Sequence, residues 1–212
     1  MAGKKNIYSF LIILFHVAGL IGFLYPPLNP FFLKLVPYHL LLMFLLLLIS
    51  KPKETNMNLY VLLVMVFLTG YLIEVAGVKT GRIFGNYRYG STLGFKLADV
   101  PLIIGINWVL LIYSVGVTVE AFRINNVLLK AFLGAVVLVV LDFTIEPIAV
   151  KFDYWQWQAN MIPLQNYVGW FLVSFTMLCL FNFLKFKKEN QSAIVLLVTQ
   201  FTFFLALNFW AL

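Results

Sequence analysis

The 212-residue chain predicts an all-α fold, a polytopic membrane bundle of about seven transmembrane helices. Three observations carry this. Hydrophobic residues make up 63% of the chain and charged residues only 11%, where a soluble domain holds about 25% charged. Mean hydropathy is +0.97. Apolar runs long enough to cross a hydrocarbon core of roughly 30 Å recur along the chain, separated by short turns rich in Pro, Asn and Lys. Little remains for a separate soluble unit, so 1–212 reads as a single integral membrane domain. The net charge of +7 sits in the short turns, where topology signals and lipid headgroups place Lys and Arg, so no nucleic-acid partner is expected. The single cysteine, Cys179, lies in an apolar run and excludes a disulfide within the chain.

The spans follow in order. Lys4 and Lys5 precede an apolar run over Ile7–Tyr25 that is long and lacks a small-residue cleavage site, so it is expected to be the first span rather than a cleaved leader. It ends at Pro26-Pro27. The second span starts between Phe31 and Pro37 and ends at Ser50, where KPKETN makes a basic turn. The third covers Asn58–Gly77. The segment from Val78 to Ala98 is too polar for lipid and rich in Gly and Tyr; it predicts a loop or re-entrant segment folded over the helix ends, since irregular backbone at membrane depth needs protein or a water cavity around it. The fourth span is expected from Asp99, as cap, with Pro101 in the first turn, to Glu120. The fifth runs from Val127 to Val150, the sixth from Pro163 to Phe183, and the seventh from Ala193 to Leu212.

An odd number of spans puts the termini on opposite sides. With the N-terminus inside, the inner segments hold eight basic residues (Lys4, Lys5, Lys51, Lys53, Arg123, Lys185, Lys187, Lys188) against six outside (Lys34, Lys79, Arg82, Arg88, Lys96, Lys151). Lys130 lies near the inner end of the fifth span. The bias favours a cytoplasmic N-terminus, in a bacterial inner membrane. For either orientation, Glu74, Asp99, Asp142, Glu146, Gln165 and Asn166 all fall toward one membrane face. A rise of roughly 1.5 Å per residue places Glu74 and Asp142 at similar depth, with Asn107 of the fourth span near the same level.

Carboxylates in apolar spans are costly unless paired, protonated or wetted, and they default to function. Asp142 and Glu146 are one helical turn apart on one face. Two ionised groups so close repel, so the pair is expected to hold one proton, giving an acid beside a base. Glu74 can join them. The bland alternative is a structural network in which these acids pair with Lys79, Arg82, Arg88 or Lys151. The aromatics Tyr87, Tyr89, Tyr154, Trp155, Trp157, Tyr167 and Trp170 fall where an interfacial belt is expected; one or two could instead shield a cation with their ring faces. His16 in the first span reads as a packed or hydrogen-bonded residue. His39 is the only other histidine, no Cys or His cluster exists, and no phosphate-binding Gly motif is present, so no metal site and no cofactor are expected. On residues alone three classes stay open: an enzyme, a proton-coupled membrane transporter, and a non-catalytic lipid-binding membrane protein.

The strings EVAGVKTGRIFGNYRYG, LGFKLADVPLIIGINW, DFTIEP, YWQWQ and IPLQNYVGW resemble the membrane carotenoid 1′,2′-hydratases, the family of γ-carotene, lycopene and bisanhydrobacterioruberin hydratases. The resemblance covers about Gly70 to Trp170, in the family's order. One departure is Glu146, where many members have Asp before the proline; the acid is kept on a longer side chain. The resemblance implies a cofactor-free hydro-lyase that adds water across the terminal C1′=C2′ bond of an acyclic ψ end group. It implies catalytic Glu74, Asp142 and Glu146, with Asn107, Tyr87, Gln165 and Asn166 about the water and Trp155, Trp157 and Trp170 beside a carbocation. The expected partners are a carotenoid entering from the bilayer, water, and other enzymes of the carotenoid pathway.

Overall fold

A computed structural model describes the backbone of residues 2–158 and 160–211 and the side chains within them from Ile7 onward. Lys4 and Lys5, used above for orientation, and Leu212 lie outside the described side chains. Seven helices are long and apolar enough to cross a membrane: α1 (Ala2–Leu24), α2 (Asn29–Ser50), α3 (Met57–Thr80), α4 (Ile103–Glu120), α5 (Val127–Lys151), α6 (Leu164–Phe183) and α7 (Gln191–Trp210). The chain is thus an all-α membrane bundle.

Short polar caps set the helix starts. Asn56 and Asn126 stand just before α3 and α5 and accept from the backbone N–H of Asn58 and Leu129, which satisfies donors a helix start leaves open. Gly81 ends α3 in the left-handed region (φ 65°), its N–H donating to the Gly77 carbonyl; a residue with a Cβ is strained there.

The hub is α4. Of its span, 78% is buried, against 17–39% for the other six. It packs against α2, α3, α5, α6 and α7. Its neighbours turn apolar side chains outward, as lipid-facing helices must. Helices α5 and α6 form an antiparallel hairpin, and α1 lies on α2 and α7.

The polar end of the bundle differs from the sequence expectation in two ways. First, α3 runs on to Thr80, three residues past Gly77, and the expected loop after it carries short strands. Tyr87–Tyr89 (β1) pairs antiparallel with Trp155–Trp157 (β4), in the register Tyr87–Trp157, Arg88–Gln156, Tyr89–Trp155. Lys96–Leu97 (β2) pairs with Val100–Pro101 (β3). Second, Asp99 is not a helix cap. Ala98 and Asp99 both have positive φ (50° and 67°) and form the two-residue turn between β2 and β3, where Asp tolerates that backbone. Helix α4 therefore starts at Ile103, with no side-chain cap.

Candidate active site

The β1–β4 pair links the α3–α4 and α5–α6 connections across the end of the bundle. Alternation along β1 sends Tyr87 and Tyr89 to one face, above the last turns of α3. Both phenols donate to Glu74 Oε2, at 2.5 and 2.8 Å. The Trp108 indole N–H on α4 donates to Glu74 Oε1 at 3.1 Å. Glu74 is only 4% exposed. Burial first, then the facing Glu74 carboxylate, push both phenols above the ordinary tyrosine range; they stay O–H donors at any ordinary pH. Gly70, one turn before Glu74, makes room for Trp108: a Cβ at that position would stand 2.5 Å from the indole Cγ.

Glu146 is served in the same way from the partner strand. Trp155 and Trp157 alternate on β4, and both indole N–H groups donate to Glu146 Oε2, at 3.0 and 2.8 Å. Asn166, near the start of α6, divides its amide hydrogens between Glu146 Oε1 (3.0 Å) and Asp142 Oδ2 (2.8 Å). Asp142 and Glu146 are each 1% exposed. Asp142 Oδ1 is buried with no hydrogen-bond partner among the described residues.

No basic side chain pairs with these acids among the described residues. The ion pairs there are Lys130–Glu120, Lys187–Glu54 and Lys187–Glu189, all at the other end of the bundle. The expected alternative of a salt-bridged structural network is therefore absent for Lys79, Arg82, Arg88 and Lys151. What holds the acids is a set of neutral donors, which offsets part of the cost of burial without cancelling charge.

Between the two carboxylates lies a space of about 30 Å³ lined by Glu74, Tyr87, Asn107, Trp108, Glu146 and Trp155, with Trp157, Asn166 and Trp170 completing the wall. That is room enough for a water molecule. It adjoins a larger apolar cavity of about 300 Å³ enclosed by α1, α2, α4 and α7. Ile104, Asn107 and Trp155 line both. Phe15, Leu35 and Tyr38, exposed residues of α1 and α2, border the larger cavity, so it reaches the outer surface of the bundle. Trp170 stacks on Trp108 at 4.5 Å between ring centres, and Tyr87 lies 5.2 Å from Trp157.

Glu74, Glu146, Asn107, Asn166, Tyr87, Trp155, Trp157 and Trp170 thus all line the small space. Asp142 joins them through Asn166 but lines neither space. Gln165 stands apart: it is exposed and donates to the Gly81 and Arg82 carbonyls, because it faces the α3–α4 connection from the first turn of α6. Asn107 is one turn into α4, nearer the helix start than expected, since α4 begins four residues later than Asp99. Sequence reasoning missed Tyr89 and Trp108 as partners of Glu74. The Tyr-Arg-Tyr alternation was the available signal for the first; nothing in one helical sequence reports the second. It also missed that α1, α2 and α7 enclose the large cavity.

A family model described as carotenoid biosynthesis protein matches residues 34–212. A bisanhydrobacterioruberin hydratase of Haloarcula japonica is 33% identical over 130 residues, which cover 57% of this chain and 44% of that protein. The chain thus spans less than half the length of this relative. No solved structure matches it. With its match to the family model running from α2 through α7, the chain belongs to the carotenoid biosynthesis protein family.

Proposed function

We propose that the chain is a carotenoid hydratase that adds water across the terminal C1′=C2′ double bond of an acyclic ψ end group, as in γ-carotene or lycopene. The observation that carries this is the one-water space between two buried, donor-held glutamates, opening beside an apolar cavity that reaches the lipid side. A neighbour named as a hydratase supports it.

The chemistry needs no redox partner. The proton held by the acid cluster passes to C2′, and the π electrons form the new C–H bond. The tertiary cation left at C1′ is attacked by the water between Glu74 and Glu146. That water's proton goes to a carboxylate of the cluster, so the acids are restored and the net change is one added water. Asp142, one turn from Glu146 and joined to it through Asn166, shares the resting proton with it. Tyr87, Tyr89 and Trp108 aim Glu74; Trp155 and Trp157 aim Glu146. Asn107, at the boundary of the two spaces, orients the water toward the alkene. Ring faces of Trp155 and Trp170 stand where a cation would be stabilised.

A cavity of about 300 Å³ takes an end group, not a whole polyene, so the remaining chain extends into lipid. The same proposal puts the N-terminus in the cytoplasm of a bacterial inner membrane; a reporter fused after Trp210 and found active only in the cytoplasm would overturn that orientation. The activity is tested by expressing the chain in a host that makes γ-carotene or lycopene and analysing pigments by chromatography and mass. A product heavier by one water is expected. Asp142→Asn and Glu74→Gln should each lower its yield with the folded protein still present. No hydrated pigment in membranes that contain the protein refutes the proposal.

A further inference from the structure

The large cavity is not uniformly apolar. His16 of α1, His39 of α2 and Gln200 of α7 all line it. His16 and Gln200 are each 6% exposed. The His16 and His39 rings meet edge to face at 4.6 Å. His16 Nδ1 lies 2.8 Å from the Ile12 carbonyl. A carbonyl only accepts, so Nδ1 is the donor there, and in the uncharged ring Nε2 is left as an acceptor. The Gln200 side chain makes no hydrogen bond among the described residues, and its Oε1 is buried without a partner. Gln200 shares a face of α7 with Phe203, one turn on, whose ring packs 5.7 Å from that of His16. An imidazole acceptor and a free amide therefore sit on adjoining walls of one apolar cavity.

Buried polar groups in such numbers ordinarily have partners, and an unsatisfied amide in an apolar wall is costly. Among the described residues no side chain supplies the partner. Helix-backbone bonding, which satisfies most polar residues in spans, serves His16 alone of the three. The cavity is large enough for the partner to be part of a ligand. The chemistry of the seat selects the group. A ketone or ether oxygen could only accept and would leave His16 Nε2 bare. A hydroxyl, with one hydrogen and open lone pairs, donates to His16 Nε2 and accepts from the amide N–H of Gln200; Gln200 Oε1, itself an acceptor, is not served by it.

We infer that His16, His39 and Gln200 form a hydroxyl-binding subsite, so that the apolar cavity favours an isoprenoid alcohol over the matching hydrocarbon. The subsite stands on its own geometry; its reading as a seat for the alcohol product rests on the hydratase proposal. Ile104, Asn107 and Trp155, shared with the water-sized space, put the subsite in the same cavity that the newly formed tertiary alcohol would occupy.

The test uses the full chain in nanodiscs, with farnesol and farnesene as probes and empty nanodiscs to correct for partition into lipid. Two hydrogen bonds correspond to about 5- to 150-fold in affinity, so farnesol is expected to bind at least about fivefold tighter. Gln200→Leu and His16→Phe should each erode that preference while farnesene affinity stays the same, which also reports that the variants are folded. Equal binding of the two probes to the wild type means an ordered water, or nothing, fills the seat, and overturns the inference. So does a preference that survives both substitutions. The two readings fail separately. Hydrated pigment with no alcohol preference removes the subsite and leaves the hydratase. Alcohol preference in a wild type that makes no hydrated pigment supports the subsite and removes the hydratase.

Discussion

Replacing Asn166 by Leu tests the core of the acid cluster with little change in volume. Asn166 gives one amide hydrogen to Asp142 Oδ2 and the other to Glu146 Oε1. A hydrogen bond to a charged group contributes about 1.5–3 kcal/mol, so removing both from ionised acceptors would cost about 3–6 kcal/mol. The pair can soften this by taking up a proton, which leaves one bond's worth, about 1.5 kcal/mol, as the floor. Asn166 is 2% exposed, so bulk solvent does not replace the amide. The floor corresponds to more than tenfold in rate if the lost bonds align Glu146 in the transition state. The assay is the initial rate of hydrated pigment formation in membranes, normalised to folded protein, with a thermal melt of the detergent-solubilised chain beside it. A lower melting temperature and a rate down at least about tenfold are expected. A variant within twofold of the wild-type rate, melting at the wild-type temperature, would refute the bridging role given to Asn166.

Trp157→Phe keeps the ring and deletes one of two donors to Glu146 Oε2; hydration should fall several-fold, and the double variant with Trp155→Phe should fall by more than the product of the two single losses, since Oε2 is then bare. Equal effects of the single and double variants in the pigment assay would count against a shared acceptor. Gly70→Ala would push the Trp108 indole from Glu74 Oε1, at an overpacking cost of about 1–3 kcal/mol; a melt unchanged by that substitution contradicts the close approach. Asp153 accepts from the Ser91 backbone N–H and hydroxyl, and the backbone bond, ahead of the others, holds its carboxyl below the usual range. Because its folded value is depressed, this tie stabilises above the unfolded value of about 3.9 and is lost as pH falls through the folded one. Asp153→Asn should therefore flatten the acid-side fall in melting temperature, and a slope identical to wild type would speak against the tie.

The bundle was legible because it rests on composition: runs of apolar residues interrupted by Pro, Asn and Lys declare spans whatever they pack against. Much of the site was legible too. An acid inside an apolar run is costly enough to be noticed, and the i, i+4 spacing of Asp142 and Glu146 needs no tertiary knowledge. The β1–β4 pairing was not legible. Each strand has only three residues, and their pairing joins positions some seventy apart, which no local pattern encodes. Trp108 escaped for the same reason: its role depends on how α4 is rotated against α3, and α4 is apolar nearly all round. Asp99 misled because Asp followed by Pro two positions on suits a helix start and a tight turn alike; the two positive φ angles decided for the turn. The cavity was hidden because its walls come from α1, α2 and α7, where His16, His39 and Gln200 are isolated single residues.

The two glutamates belong to the membrane helices, whereas most of their hydrogen-bond donors belong to a small woven cover at one end. This division has a consequence for biogenesis. As the chain leaves the ribosome, α3 with its acid is complete well before Trp155, Trp157 and Asn166 have been made. Glu74 can find its tyrosines and Trp108 early, but Glu146 must wait for the β4 strand and the first turn of α6. A nascent chain halted after Lys151 would carry its second acidic helix with no partner to receive it, the stage at which a membrane quality-control protease would meet an exposed carboxylate.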